Sequence, residues 1–227
     1  MFELIKDKII GKKVVIFGEI HGTKETPELL SKFFSEMVED EKFRDFSIGL
    51  EIPVEFQEDL TSYMKSGDIV LLRKVSFFSK ENCLDGRNSI EYIKLIENIY
   101  RINLKNRINA GIFFIDPIAK NQKEKEAGLA ENILKILNEK KRIFAILGSI
   151  HASKDIVYFK DERIIPAGNI LSSKLKDDFF NIGIFPKTGE FFNFEIKKIS
   201  FKLTEFFSKG FDYIFELDRV TPASFLD

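Results

Sequence analysis

Histidine is scarce in this sequence, with two copies, His21 and His151, in 227 residues. Cysteine is scarcer: Cys83 alone excludes an internal disulfide and any cysteine-based zinc cluster, and suits a reducing compartment. Tryptophan is absent. A dominant charge is missing too. With 35 Lys and Arg against 36 Asp and Glu, the net charge of -1 offers no electrostatic footprint for nucleic acid or an anionic membrane. No window approaches the roughly 18 apolar residues of a membrane span. Glu3, Lys6, Asp7 and Lys8 interrupt the apolar stretch a signal peptide needs, and no cysteine lies near either end to carry a lipid. Repeats and Gly/Ser- or Pro-rich linkers are lacking. These absences predict a cytoplasmic protein, one domain over residues 1–227, acting on a small-molecule or peptide substrate rather than on nucleic acid or a membrane.

What is present is core-forming material: 44% apolar residues, including 25 phenylalanines. Four short apolar runs, Lys13–Phe17, Phe46–Leu50, Gly111–Ile115 and Arg142–Leu147, have strand length, and three lack polar alternation, as in a parallel sheet covered on both faces. Helical patterns separate them. Thr26-Pro27 reads as a cap and first turn before Leu29, Leu30, Phe33, Phe34 and Met37. Ser89 to Arg101 and Lys123 to Glu139 follow, the latter with Ala127, Ala130, Ile133, Leu134 and Leu137. The alternation predicts an α/β fold with a mainly parallel central sheet flanked by helices. After His151 the pattern turns antiparallel. Ile156–Phe159 is one short strand, Phe180–Phe185 and Phe191–Ile196 read as a hairpin through Pro186-Lys-Thr-Gly189, and Tyr213–Leu217 as a last strand near an edge. The Phe-rich segments are expected to be core or strand faces without a functional role.

Each parallel run delivers an acid or a histidine at its carboxyl end: Glu19 and His21, then Glu51, then Asp116, then His151. Ligands bind along that edge in open α/β sheets, and titratable groups gathered there shift one another's pKa. Both histidines sit in Gly-x-Ile-His after an apolar run. With 13 glycines in the chain, a glycine three residues ahead of both is a coincidence on the order of 0.3% before other offsets are counted. A lone histidine is commonly a hydrogen-bonded core residue; this pair points instead to a site, where glycine permits a sharp turn or a close approach.

Glu51 lies in apolar surroundings and needs a partner. Glu19 can serve as ligand, histidine orienter or turn acceptor. Asp116 either serves a site or organises the turn at Pro117, and Glu25 either binds substrate or merely favours a helix dipole. In Asp85-Gly-Arg-Asn-Ser89, Asp85 or Asn88 reads as a helix cap, while Arg87 can bind an anion or stabilise an oxyanion. Cys83 has no histidine near it in sequence and reads as a bystander. Gly-x-Gly-x-x-Gly, Walker and Gly-x-Ser-x-Gly motifs are all absent. Pocket lining is expected from the segment Pro53 to Ser89.

Gly18-Glu-Ile-His-Gly-Thr-Lys-Glu25, Gly49-Leu-Glu51, Asp85-Gly-Arg87, Leu129-Ala-Glu-Asn-Ile133 and Gly148-Ser-Ile-His-Ala152 together resemble the erythromycin esterase-like, ChaN-like and Tiki/TraB superfamily, over about residues 13–170. The resemblance implies a hydrolase of an ester, lactone or peptide, with His21 as general base on water. Glu19 and Glu51 would orient or hold its cationic form, and His151 would contact substrate or act as acid. In metal-dependent relatives, Glu19, His21, Glu51 and His151 would instead surround a divalent ion such as zinc, manganese or iron. The haem-binding branch implies a non-enzymatic binder using the same rim, a weaker expectation because that branch is usually a secreted lipoprotein.

Overall fold

A computed structural model describes residues 1–79, 82, 85–139, 142–159 and 162–226. Cys83 and Lys160-Asp161 lie outside them. The elements run in the order α1 (Phe2–Ile9), β1 (Val14–Glu19), α2 (Glu25–Met37), β2 (Ser47–Pro53), α3 (Gln57–Ser66), α4 (Ile69–Arg73), α5 (Ile90–Asn106), β3 (Gly111–Asp116), α6 (Gln122–Glu139), β4 (Ile143–Gly148) and α7 (Ser149–Ala152). They continue through β5 (Val157–Phe159), β6 (Glu162–Ile164), α8 (Ala167–Leu175), β7 (Phe179–Asn193), β8 (Glu195–Lys198), α9 (Phe201–Phe207) and β9 (Tyr213–Val220).

The main sheet has the order β3-β2-β4-β1-β7-β8, with β9 also paired to β7. Strands β1, β2, β3 and β4 are parallel, as the four apolar runs predict. Every residue of β1 and β4 is buried, because both faces of the sheet are covered. Alternation within each strand feeds two cores. Val15, Phe17, Phe144 and Ile146 pack with α1, α2 and α5, whereas Val14, Ile16, Ala145 and Leu147 pack with α6 and α8. On the first face Phe17 meets Phe33 at 5.1 Å between ring centroids, and Phe34 meets Phe144 at 5.7 Å, both edge to face. Burying each such ring contributes about 2–3 kcal/mol.

Several boundaries differ from the sequence reading. Helix α2 starts at Glu25, so Thr26 and Pro27 lie inside its first turn; Lys24 holds the N-cap position without a side-chain cap, and the Thr26 hydroxyl accepts from Thr23 at 3.0 Å. The cap of α5 is Ser89, whose hydroxyl accepts from the Tyr92 N–H, not Asp85 or Asn88. The buried face of α6 is Glu126, Leu129, Ala130, Ile133 and Ile136, rotated from the stripe through Ala127. The largest correction concerns Pro186–Gly189, which is no turn. It lies in the middle of β7, which pairs parallel with β1, parallel with β9 and, at its far end, antiparallel with β8. The reversal comes at Phe194, in the left-handed region at φ 59°. Gly189 is required for proximity: a Cβ there would lie 2.0 Å from the Val220 carbonyl oxygen across the β7–β9 pair. Strands β5 and β6 form a separate antiparallel pair. The chain is therefore a mixed α/β fold with a mainly parallel sheet and antiparallel pairs toward its C-terminal side. Among the described residues, no helix is long and apolar enough to cross a membrane.

Candidate active site

The sheet order brings the ends of β1, β2 and β4 side by side, with Glu19 in register with Gly148. Glu51 sits where the β2–β3 register shifts between Leu50 and Pro53, and such an irregularity re-aims a side chain. Its carboxylate is the hub. Oε2 accepts from the Gly148 N–H at 2.7 Å and lies 3.5 Å from His21 Nε2. Oε1 lies 3.1 Å from Arg87 Nη1, 3.0 Å from Lys125 Nζ and 3.4 Å from His151 Nε2. Each histidine is gripped from behind by a further acid. His21 Nδ1 donates to Glu19 Oε1 at 2.8 Å, and His151 Nδ1 donates to Glu126 Oε1 at 2.7 Å. Tyr92 also donates to Glu19 Oε1, and Glu126 Oε2 accepts from the Ala167 N–H at 2.8 Å. A row of carboxylate, imidazole, carboxylate, imidazole, carboxylate therefore runs Glu19–His21–Glu51–His151–Glu126.

Gly148 makes this row possible by having no side chain. A Cβ there would stand 2.8 Å from His21 Nε2, inside contact distance. Its backbone is ordinary, at φ -58°, so space rather than conformational freedom demands glycine. The turn from β4 into α7 then presents His151, and the Ser149 hydroxyl ties it to β1 by donating to the Glu19 carbonyl at 2.6 Å.

The charges set the protonation states. Burial pulls the His21 pKa down, but its hydrogen bonds to Glu19 and Glu51, and their charges, outweigh this and push it up to about 10. Burial alone would raise Glu51; the charges of His151, Arg87 and Lys125 instead hold it well below the usual carboxylate range. Tyr92 is driven well above its ordinary value by burial and by the Glu19 charge. At neutral pH the resting centre is thus an imidazolium at His21 between carboxylates, beside a neutral phenol.

A cavity of about 330 Å³ opens onto this row, lined by Glu19, His21, Glu51, Asp85, Arg87, Lys125 and His151 on its polar side. The opposite wall comes from Phe159, Phe191, Asn193, Lys197, Leu203 and Phe207. Two expectations need correction here. Of the segment Pro53 to Ser89, only Asp85 and Arg87 line the cavity among the described residues, and Phe159, Phe191 and Phe207, expected to be core or strand faces without a role, line it as well.

Glu25 stands apart: its carboxylate accepts from the Thr221 N–H and hydroxyl, each at 2.8 Å, and it holds the C-terminal segment rather than facing the cavity. Asp116 lies behind the wall, 3.0 Å from Arg87 and 3.2 Å from Lys125. Arg87 borders the cavity, but its guanidinium is committed to Asp85, Asp116 and both the carboxylate and carbonyl of Glu51. It positions Glu51 and has little left for an anionic ligand.

Glu126, Lys125 and Tyr92 escaped the sequence reading. Glu126 hides in the charged run Lys123-Glu-Lys-Glu126, yet it stands three, four and seven residues before Leu129, Ala130 and Ile133. An acid on an apolar stripe was its one signal. The donor set does not fit a resident metal or an imidazole-ligated haem. All four imidazole nitrogens face carboxylate oxygens, Glu51 is engaged by two fixed cations, and no group of three or more His, Cys, Asp or Glu among the described residues is arranged to hold an ion.

No protein-family profile matches the chain, and no curated protein is significantly similar to it. Solved structures do share its fold. A succinoglycan biosynthesis protein superposes with a TM-score of 0.72 at 13% identity, over 99% of this chain and 93% of that one. A variant of the erythromycin esterase EreC in its open conformation gives 0.65 at 10% identity, over 87% and 78%. ChaN of Campylobacter jejuni, solved with cofacially bound haem, gives 0.50 at 14% identity, over 81% and 85%. At such identities the likeness is one of fold, and it places the chain beside an esterase and a haem-binding protein on one shared architecture.

Proposed function

We propose that the protein is a hydrolase in which His21, acting through Nε2, takes the proton of a water that attacks an ester, lactone or peptide carbonyl. The observation that carries this reading is the clamping of His21. Glu19 fixes Nδ1 as the donor nitrogen and so directs Nε2 toward Glu51 and the cavity. Glu51 stores the charge that makes the imidazole strongly basic. His151, oriented in the same way by Glu126, contacts the substrate, and the Lys125 ammonium supplies an N–H group for the oxygen that becomes negative in the transition state. The proton returns from His21 to the leaving oxygen or nitrogen. Because His21 rests protonated, only its neutral fraction starts the reaction, about one molecule in a thousand at pH 7 for a pKa of about 10. The likeness to an erythromycin esterase fold supports the reaction class; the metal and haem readings lose support because Glu51, the carboxylate between the two imidazoles, is already engaged by Arg87 and Lys125.

The test is a panel of activated esters, lactones and peptides assayed at pH 9 to 10 with the protein and its His21→Ala and His21→Gln variants, each checked for folding by circular dichroism. Positioned general bases contribute roughly 100- to 10,000-fold, so the folded variants should lose at least that lower factor. Equal turnover in the variants, or no turnover of any substrate by the unaltered protein, rejects the reading.

A further inference from the structure

Beside the candidate active site lies a second hollow of about 240 Å³, walled by Ile150, Ile156, Val157, Tyr158, Phe206 and Phe207. Ser149, Ile150 and Phe207 line both spaces, so the two share a wall. The hydroxyls in that wall are already used. Ser149 Oγ donates to the Glu19 carbonyl at 2.6 Å, and Ser153 Oγ donates to the Asp155 carbonyl at 3.2 Å while accepting its N–H at 3.1 Å. The serines therefore add no orphan donor, and apart from Asp155 and Lys209 the rest of the lining is aliphatic and aromatic. Tyr158 is 67% exposed, and Ile156 and Phe206 are each 38% exposed. Single exposed hydrophobic residues are ordinary; several converging on a concave space next to proton-handling groups mark a ligand site.

We propose that this hollow binds an apolar chain of the substrate, acyl or alkyl, while the carbonyl attached to it is presented to His21. The proposal rests on the hydrolase reading and adds the substrate class: esters bearing a medium-length hydrocarbon chain. If each methylene fills roughly the 30 Å³ that a water takes up in the liquid, the hollow accommodates about eight carbons. Each methylene brought out of water should raise kcat/KM about fourfold until the space is full.

Two measurements test this. The first compares kcat/KM for 4-nitrophenyl esters from acetate to dodecanoate, and for acetates of alcohols of the same lengths. The arm that shows the preference identifies whether the acid or the alcohol half carries the chain. A rise to about eight carbons followed by a plateau is expected. Val157→Trp, which fills the hollow, should abolish the rise, and Phe206→Ala, at the exposed rim, should move the plateau to longer chains. The second measurement needs no turnover: calorimetric binding of octan-1-ol against butan-1-ol to the unaltered protein, His21→Ala and Val157→Trp. His21→Ala should retain the preference for octan-1-ol and Val157→Trp should lose it. Hydrolysis without any chain-length preference, or octan-1-ol binding unchanged in Val157→Trp, overturns the apolar site and leaves the hydrolase standing. Octan-1-ol bound with that variant pattern, but no ester hydrolysed, supports the apolar site and sinks the hydrolase.

Discussion

With only two histidines in the chain, the protonation of His21 can be watched directly. The Cε1–H signals of His21 and His151 should form two resolvable peaks in a carbon–proton correlation spectrum, assigned by His151→Gln. The His21 peak should titrate with a midpoint near 10 rather than 6.5. In Glu19→Gln the imidazole keeps a hydrogen-bond acceptor but loses one flanking charge. A hydrogen bond to a charged group contributes about 1.5–3 kcal/mol, so the midpoint should fall by about one to two units. The same shift acts on stability. A folded-state pKa raised above the unfolded one gives stabilisation that is full below pH 6.5 and is lost as pH climbs through about 10. At about 1.4 kcal/mol per unit this amounts to a loss on the order of 5 kcal/mol, readable as a falling urea midpoint. The lowered Glu51 pKa expresses partly the same pairing and is not an independent gain. For a hydrolase using neutral His21, log kcat/KM should rise by one per pH unit up to about pH 10 in the unaltered protein, and level off earlier in Glu19→Gln. A His21 midpoint at or below 6.5, or one that Glu19→Gln leaves in place, would refute the electrostatic argument.

Two further substitutions probe the scaffold of the row. Gly148→Ala places a methyl 2.8 Å from His21 Nε2, so it should shift the His21 peak and lower kcat/KM at least about tenfold through misplacement of the base; an unmoved peak with full activity would show that the ring has room to yield. Glu126→Ala leaves the Ala167 N–H and His151 Nδ1 without their acceptor and should cost about 1–3 kcal/mol in urea unfolding, with Glu126→Gln recovering part of it. A cost below about 0.5 kcal/mol for the alanine variant would place it among ordinary surface substitutions and contradict a structural role for the acid.

The readable parts of the fold were those whose partners leave a local imprint. Strands covered on both faces become uninterrupted apolar runs, so β1, β2, β3 and β4 could be found, and Glu19, His21, Glu51 and His151, which follow them, do gather at one edge of the sheet. β7 was misread because Pro186 and Gly189 carry a turn signature while their real reason is distant: Gly189 clears the Val220 carbonyl of β9. Lys125 and Glu126 were not picked out of their charged run because the groups that bury them, Glu51, His151 and the start of α8, lie far away in sequence. The apolar wall of the cavity was equally illegible, since core and cavity phenylalanines differ only in what lies opposite them.

The central strand has a consequence for how the chain reaches this structure. Val14 pairs with Ile143 on one side and with Phe179 on the other. During synthesis β1, apolar on both faces, emerges well over a hundred residues before either neighbour. Contacts this distant must be closed against chain entropy before they return stabilisation, which slows folding. Until then its available cover is the adjoining α1 and α2, whose Phe2, Phe33 and Phe34 belong to the same core as Val15 and Phe17. The Phe2, Phe33 and Phe34 cluster is therefore placed to shelter the strand that the carboxylate–imidazole row depends on while the rest of the sheet is still being made.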